Sequence, residues 1–298
     1  MCQLKSCLVL KDRVYCPDYD SHQDMLDKLG IKDDYLGASK TFVRVELLPP
    51  DGEESLMEPL SRWTLKVDQD VTPEWWDAEA DRQRVEEAVE AWRGEHVFAE
   101  GEHSISAGIV YALSSAKVTA CGSATVKAYD SATVYAFGSA TVTACESATV
   151  EAYNSATVKA YNSATVEAYN SATVKAYNSA TVEAYGSATV EAYGSATVKA
   201  FGSATVTAYD SATVKAHEHA TVKANKHAMV TAYDSATVTA HEHATVIACD
   251  IATVTAFDRA TVKAYNSARV EAYGNATVIY PRKNKIVYPA GWTAETHD

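Results

Sequence analysis

The chain has no run approaching the roughly 20 apolar residues that span a membrane, and the apolar stretch Leu8–Leu10 is far too short for a secretory leader. A soluble, cytoplasmic protein is expected. Cysteine is scarce, six in 298 residues, and Cys2, Cys7, Cys16, Cys121, Cys145 and Cys249 form no CxxC pair. Reduced thiols fit best, because Cys121, Cys145 and Cys249 lie too far apart along the chain to bridge. Basic clusters are missing apart from Arg282-Lys283-Asn284-Lys285, so no direct nucleic-acid binding is expected. There is no P-loop, GxSxG, HExxH or dinucleotide fingerprint. An enzyme is not the expectation, and no cofactor is implied.

The acidic surplus is local. Residues 1–103 hold 12 Lys+Arg against 24 Asp+Glu, a net of -12, whereas residues 104–298 hold 14 against 15, a net of -1, which together give the total of -13. Composition therefore divides the chain into an acidic N-terminal domain over 1–103, a repeat region over 104–282 and a C-terminal cap or tail over 283–298. Proline and charge around Tyr280-Pro281-Arg282-Lys283 suit the guarding of a strand edge.

What the chain does have is one eight-residue unit, Ser-Ala-Thr-Val-x-Ala-Tyr-(Asp/Asn/Gly), repeated twenty-one times from Ser115 to Arg282 without insertion or deletion. A fixed short period means that units pack on their neighbours, as in a solenoid. Ala, Val and Ala at positions 2, 4 and 6 alternate with Thr, a variable residue and Tyr at 3, 5 and 7, the period-two pattern of a strand with one buried face. Position 8 and Ser at position 1 are turn formers. Each octapeptide is one strand and one corner, and the smallest closed coil takes two of them. The prediction is a mainly β chain: a two-sheet parallel β-solenoid of 16 residues per coil and about 11 coils, with a small α+β N-terminal domain. At one strand spacing per coil the rod would be about 50 Å long.

Charge supports the sixteen-residue unit, since Glu151, Glu167 and Glu183 recur at that interval and Lys159 and Lys175 occupy the intervening repeats. Stacked like charges at strand spacing are mildly unfavourable, and exposure keeps the cost small. Position 7 should build two aromatic ladders, one through Phe137, Tyr153, Tyr169, Tyr185 and Phe201, the other through Tyr161, Tyr177, Tyr193 and Tyr209. Such ladders stiffen a rod and also offer a self-association face.

In the N-terminal domain, residues 4–15 predict a strand or hairpin turning at Asp12-Arg13, Ser21 opens a helix stopped by Gly30, and Phe42–Leu48 and Trp63–Val67 read as strands. Thr72-Pro73-Glu74 reads as the start of a second helix ending near Trp92, with Gly94 after it. Trp63, Trp75, Trp76 and Trp92 are expected in the core, the pair Trp75-Trp76 being an alternative surface.

Tandem Ser-Ala-Thr-Val-x-Ala-Tyr repeats behind a domain that begins Met1-Cys2 and contains Phe42-Val43-Arg44-Val45-Glu46-Leu47 and Val67-Asp68-Gln69-Asp70 resemble proteins of bacteriophages and gut bacteria. That resemblance implies a phage or prophage setting. The coil with tyrosine ladders is similar in architecture to the repeats of bacterial ice-nucleation proteins, although the threonine pattern departs from theirs.

Four chemistries are weighed against plain structure. Thr141/Thr143, Thr205/Thr207, Thr237/Thr239 and Thr253/Thr255 are the Thr-x-Thr pairs an ice-binding face would use, but Lys or Glu interrupts them elsewhere. His217, His219, His227, His241 and His243 are weak metal candidates, for which substitution of Tyr and Ser by His at the corners is the preferred account, since a metal site needs matched ligand geometry. The acidic domain, through Glu86, Glu87 and Glu90 and through Asp18, Asp20, Asp24 and Asp27, could inhibit a host protein by mimicking DNA. Cys2 with His22 or His103 is a remote nucleophile and base. The leading expectation is a non-enzymatic rigid scaffold that binds a protein partner or itself.

Overall fold

The computed structural model describes residues 5–32 and 41–281, and the chain divides into two compact units, 1–99 with 109–111 and 100–108 with 112–298. The tail over 283–298 and Cys2 lie outside the described residues. Among the described residues no helix is long and apolar enough to cross a membrane.

The first unit is built on a four-stranded antiparallel sheet of β1 (Lys5–Leu10), β2 (Val14–Tyr15), β3 (Phe42–Leu48) and β4 (Thr64–Val67), in the order β2-β1-β3-β4. Every residue of β1 is buried, which requires cover on both faces. Leu8 and Leu10 pack with Met25 and Leu26 of α1 (His22–Leu29). Lys5, on the alternate face, lies over the ring of Trp92 from α2 (Ala78–His96) at 4.7 Å. Helix α1 begins and ends as its sequence predicts, with the Ser21 side chain accepting from Asp24 N and Gly30 at φ 66°.

Helix α2 departs from the sequence reading at both ends. It starts at Ala78, because the Asp77 carboxylate accepts from the amides of Glu79 (3.0 Å) and Ala80 (3.1 Å) while Asp81 accepts from Asp77 N (3.1 Å). Reciprocal capping outweighs the Pro73 signal. It also runs through Gly94 to His96, since Gly94 takes no left-handed conformation and the chain passes straight into an extended Val97. Trp63 and Trp92 enter the core as expected, but Trp75 and Trp76 precede the helix and are only half-buried.

The second unit is a β-solenoid of about 11 turns and about 16 residues per turn, made of two parallel sheets. Sheet I runs from Glu102–Ile105 through every second strand to Thr277–Ile279, and sheet II interleaves with it from Thr125–Ala128 to Arg269–Ala272. The first step of sheet I is fifteen residues, Glu102↔Lys117, and from Lys117 on pairing is sixteen residues on and in register, as in Thr149↔Thr165, Val150↔Val166, Glu151↔Glu167 and Ala152↔Ala168. Strands occupy positions 3 to 6 of each repeat. From Ala124 to Ala264 the residues at positions 2, 4 and 6 are essentially inaccessible, so the interior is Ala and Val alone.

The corners follow from an account of backbone donors. In a typical repeat the N–H of Ser131 reaches Ser114 O, that of Ala132 reaches Tyr129 O, and that of Thr133 reaches Ala116 O, at 2.9 to 3.1 Å. Position 8 takes φ between 51° and 67° throughout, from Ser114 to Gly274, which is why Asn, Asp and Gly dominate there. In several coils its own N–H is taken by an acidic side chain at position 8 of the next coil. Asp130 accepts from Ser114 N (3.0 Å), Glu146 from Asp130 N (3.1 Å), Glu218 from Gly202 N (2.7 Å) and Asp258 from Glu242 N (3.1 Å).

A core confined to Ala and Val has no room for growth. Ala160→Leu is expected to lower stability by about 1–3 kcal/mol through overpacking, whereas Lys159→Thr on the same strand stays within about 0.5 kcal/mol. Thermal unfolding followed by circular dichroism checks the contrast, and equal midpoints for the two variants would contradict the packing account.

Candidate functional site

The outward side chains form ladders because each falls one strand above its partner of the previous coil. Phe137, Tyr153, Tyr169, Tyr185 and Phe201 stack with ring centroids 4.9 to 5.1 Å apart and planes within 10°. The row continues through His217 to Tyr233 at 5.0 and 4.7 Å, an extension that sequence reasoning missed although position 7 of that repeat was there to read. On the opposite edge Tyr161, Tyr177, Tyr193 and Tyr209 stack at 4.8 to 5.1 Å, and His241, Phe257 and Tyr273 form a further run.

The glutamate ladder is coupled to the rings. The hydroxyls of Tyr153, Tyr169, Tyr185 and Tyr193 donate to the carboxylates of Glu151, Glu167, Glu183 and Glu191, two residues back in each case. Those hydrogen bonds push the phenols of Tyr153, Tyr185 and Tyr193 up to about 12 and raise that of Tyr169 in the same sense. Glu183 is held below the usual carboxylate range by Lys199 at 2.7 Å, with help from Tyr185, and Glu191 by Lys175 at 2.9 Å, with help from Tyr193. The expected like-charge column is thus real but partly relieved by hydroxyl donors.

The corner histidines join these columns. His227 and His243 lie parallel with centroids 5.3 Å apart, while His217 and His241 place Nδ1 4.0 and 3.9 Å from Asp234 and Asp258 of the next coil. Parallel rings at strand spacing do not converge on one point, as metal ligation requires. The Thr-x-Thr pairs at 141/143, 205/207, 237/239 and 253/255 all fall on sheet II. Lys223 stands between Thr207 and Thr239 and interrupts the plane.

In the first unit the acids of α2 do not form an open row, because Arg82 pairs with Glu86 (2.7 Å), Arg84 with Asp81 (2.5 Å) and Arg93 with Glu90. Among the described residues one group brings metal-type ligand atoms together: His22, Glu46 and Asp68, all within 4.8 Å of one another. Sequence reasoning named His22 for another purpose and missed the group, since its members come from three separate elements. His22 Nε2 faces Val45 O at 3.1 Å and Nδ1 faces Asp68 at 3.2 Å, while Lys66 lies 3.3 Å from Glu46. Val45 O and the Asp68 carboxylate thus stand against the two ring nitrogens of His22. His103, the other base considered, has Nε2 2.8 Å from Glu100 O.

The hairpin of β1 and β2 brings Cys7 and Cys16 to an Sγ–Sγ distance of 2.8 Å, although both are thiols. Burial pushes the Cys7 thiol up, which disfavours the thiolate that nucleophilic chemistry needs. No protein-family model, curated protein or solved structure matches the chain.

The tyrosine shifts have a pH signature. A raised phenol pKa means that the fold favours the neutral form, so this contribution is intact below the ordinary value of about 10 and lost as pH rises towards about 12. For Glu183 and Glu191 the shift is downward, so their contribution is present above the ordinary carboxylate range and lost as pH falls through the depressed value. In an alkaline ultraviolet titration Glu183→Gln should return Tyr185 towards 10 and leave Tyr153 near 12. An unchanged Tyr185 would show that the carboxylate is not the cause.

Proposed function

We propose that the chain is a non-enzymatic scaffold, a stiff β-solenoid that acts by presenting side-chain ladders and by associating with copies of itself, in the phage or prophage setting that its resemblance implies. One observation carries the reading: the same outward chemistry recurs at one strand spacing, with stacked centroids 4.7 to 5.1 Å apart over seven coils from Phe137 to Tyr233. Chemistry repeated on a rigid lattice suits multivalent contact. It does not suit turnover, which needs unlike groups held around one reacting atom.

A second reading, inhibition of a host protein through the acidic first domain, draws on the net charge of -12 over residues 1–103, from 12 Lys+Arg against 24 Asp+Glu. Capture of a partner by the repeats after removal of residues 1–103 would exclude it.

Self-association is checked by sedimentation of the full chain over a broad concentration range. The weight-average mass should rise above the 32.1 kDa of one chain. A mass fixed at that value at every concentration would rule out self-assembly.

A further inference from the structure

The outward position 5 of sheet I carries Glu151, Glu167 and Glu183 on three successive coils and Lys199 and Lys215 on the next two, in strict register. The sign of the column reverses once, between Glu183 and Lys199, and those two meet at 2.7 Å. Below the reversal, Glu167 has Glu151 and Glu183 as its ladder neighbours. Above it, Lys215 has Lys199 and Thr231 and is exposed. Within one chain the segregated charges are set against their own kind, a destabilising arrangement, whereas simple alternation along the column would have paired them.

We infer that sheet I is the interface of an antiparallel homodimer, whose twofold axis runs along the strands between Thr181–Ala184 and Thr197–Ala200. The inference rests on the self-association reading above and names its geometry. A column that reads negative, negative, negative, positive, positive is complementary to itself when reversed about its point of sign change. Rotation about that axis sets Glu183 against Lys199 of the second copy and Glu167 against Lys215 of the second copy, each twice by symmetry. Glu151 then meets a neutral Thr231.

The same operation preserves strand direction, so position 5 faces position 5. The ladder edge of one copy, with Tyr169, Tyr185 and Phe201, lies beside the same edge of the other. The contact is isologous and closes on itself, as most soluble homo-oligomers do.

The opposite face does not have this property. Sheet II reads Lys127, Thr143, Lys159, Lys175, Glu191, Thr207 and Lys223. Reversal about its sign change between Lys175 and Glu191 pairs only those two residues, leaving Lys159 against Thr207 and Thr143 against Lys223. Packing sheet I of one copy on sheet II of the next would match charges as well, but in an open ribbon that never closes.

The test is charge reversal in the full chain. Glu167→Lys with Glu183→Lys makes the column uniformly positive from Glu167 to Lys215, and Lys199→Glu with Lys215→Glu makes it uniformly negative from Glu151 to Lys215. Each double variant should sediment as a monomer with an unchanged circular dichroism spectrum. A mixture of the two should recover the dimer, and so should the quadruple variant alone. Raising NaCl from about 0.1 M to about 1 M, which shortens the Debye length from about 10 to about 3 Å, should weaken the wild-type dimer.

A zero-length carbodiimide cross-link between Glu167 and Lys215 is the positional readout. Within one chain these residues stand three strand spacings apart, about 14 Å, out of reach of direct coupling. Cross-links from Glu167 to Lys159 or Lys175 would instead indicate the open ribbon and overturn the twofold dimer. A dimer indifferent to both double variants would also overturn it while leaving self-association standing, and a wild-type monomer at all concentrations would remove both.

Discussion

Everything in the second unit depends on one constraint, the in-register stacking of each residue on the residue sixteen positions earlier. Backbone ladders impose it, with bonds such as Thr165 N to Ala148 O and Tyr169 N to Ala152 O at 3.0 and 2.8 Å. Once it holds, a side chain is free to choose only its identity, not its neighbours. Interior positions become columns of Ala and Val, aromatics become stacks, and carboxylates become columns of like charge that must find relief. The hydroxyl donors of Tyr185 and Tyr193 and the ammonium groups of Lys199 and Lys175 are that relief.

Legibility varied with how local the determining signal was. One strand per octapeptide, burial of positions 2, 4 and 6, the sixteen-residue coil and the ladders could all be written down from the octapeptide, because the repeat contains its own context. The stop of α1 at Gly30 was likewise local. The start of α2 was not, since two carboxylates, Asp77 and Asp81, cap each other's turn more effectively than Pro73 initiates one. Trp75 and Trp76 consequently sit ahead of the helix and outside the core. The cluster of His22, Glu46 and Asp68 was invisible for a different reason. Its members are spread over 46 residues, and only the sheet order β2-β1-β3-β4 and the docking of α1 bring them together.

A left-handed residue is required at every position 8, and Glu146, Glu218, Lys226 and Glu242 meet the requirement with side chains that ordinarily avoid it. Glu146 and Glu218 do so while closing the amide of the coil before, and Lys226 while pairing with Asp210 at 2.6 Å, which holds that carboxyl below its usual range. The irregular repeats are thus a different solution to one geometrical demand.

Two octapeptides to a turn also give the chain a parity. Loss or gain of a single unit would keep every bond of the strand ladder available, yet it would carry each later residue across to the other sheet and exchange the two edges. A glutamate column would then run into a lysine column, and an aromatic stack would break where its next ring changed sides. Loss or gain of two units shortens or lengthens each column but leaves every later residue on its own sheet and edge. Copy number in such a chain can drift, but the drift that preserves its surfaces is counted in pairs.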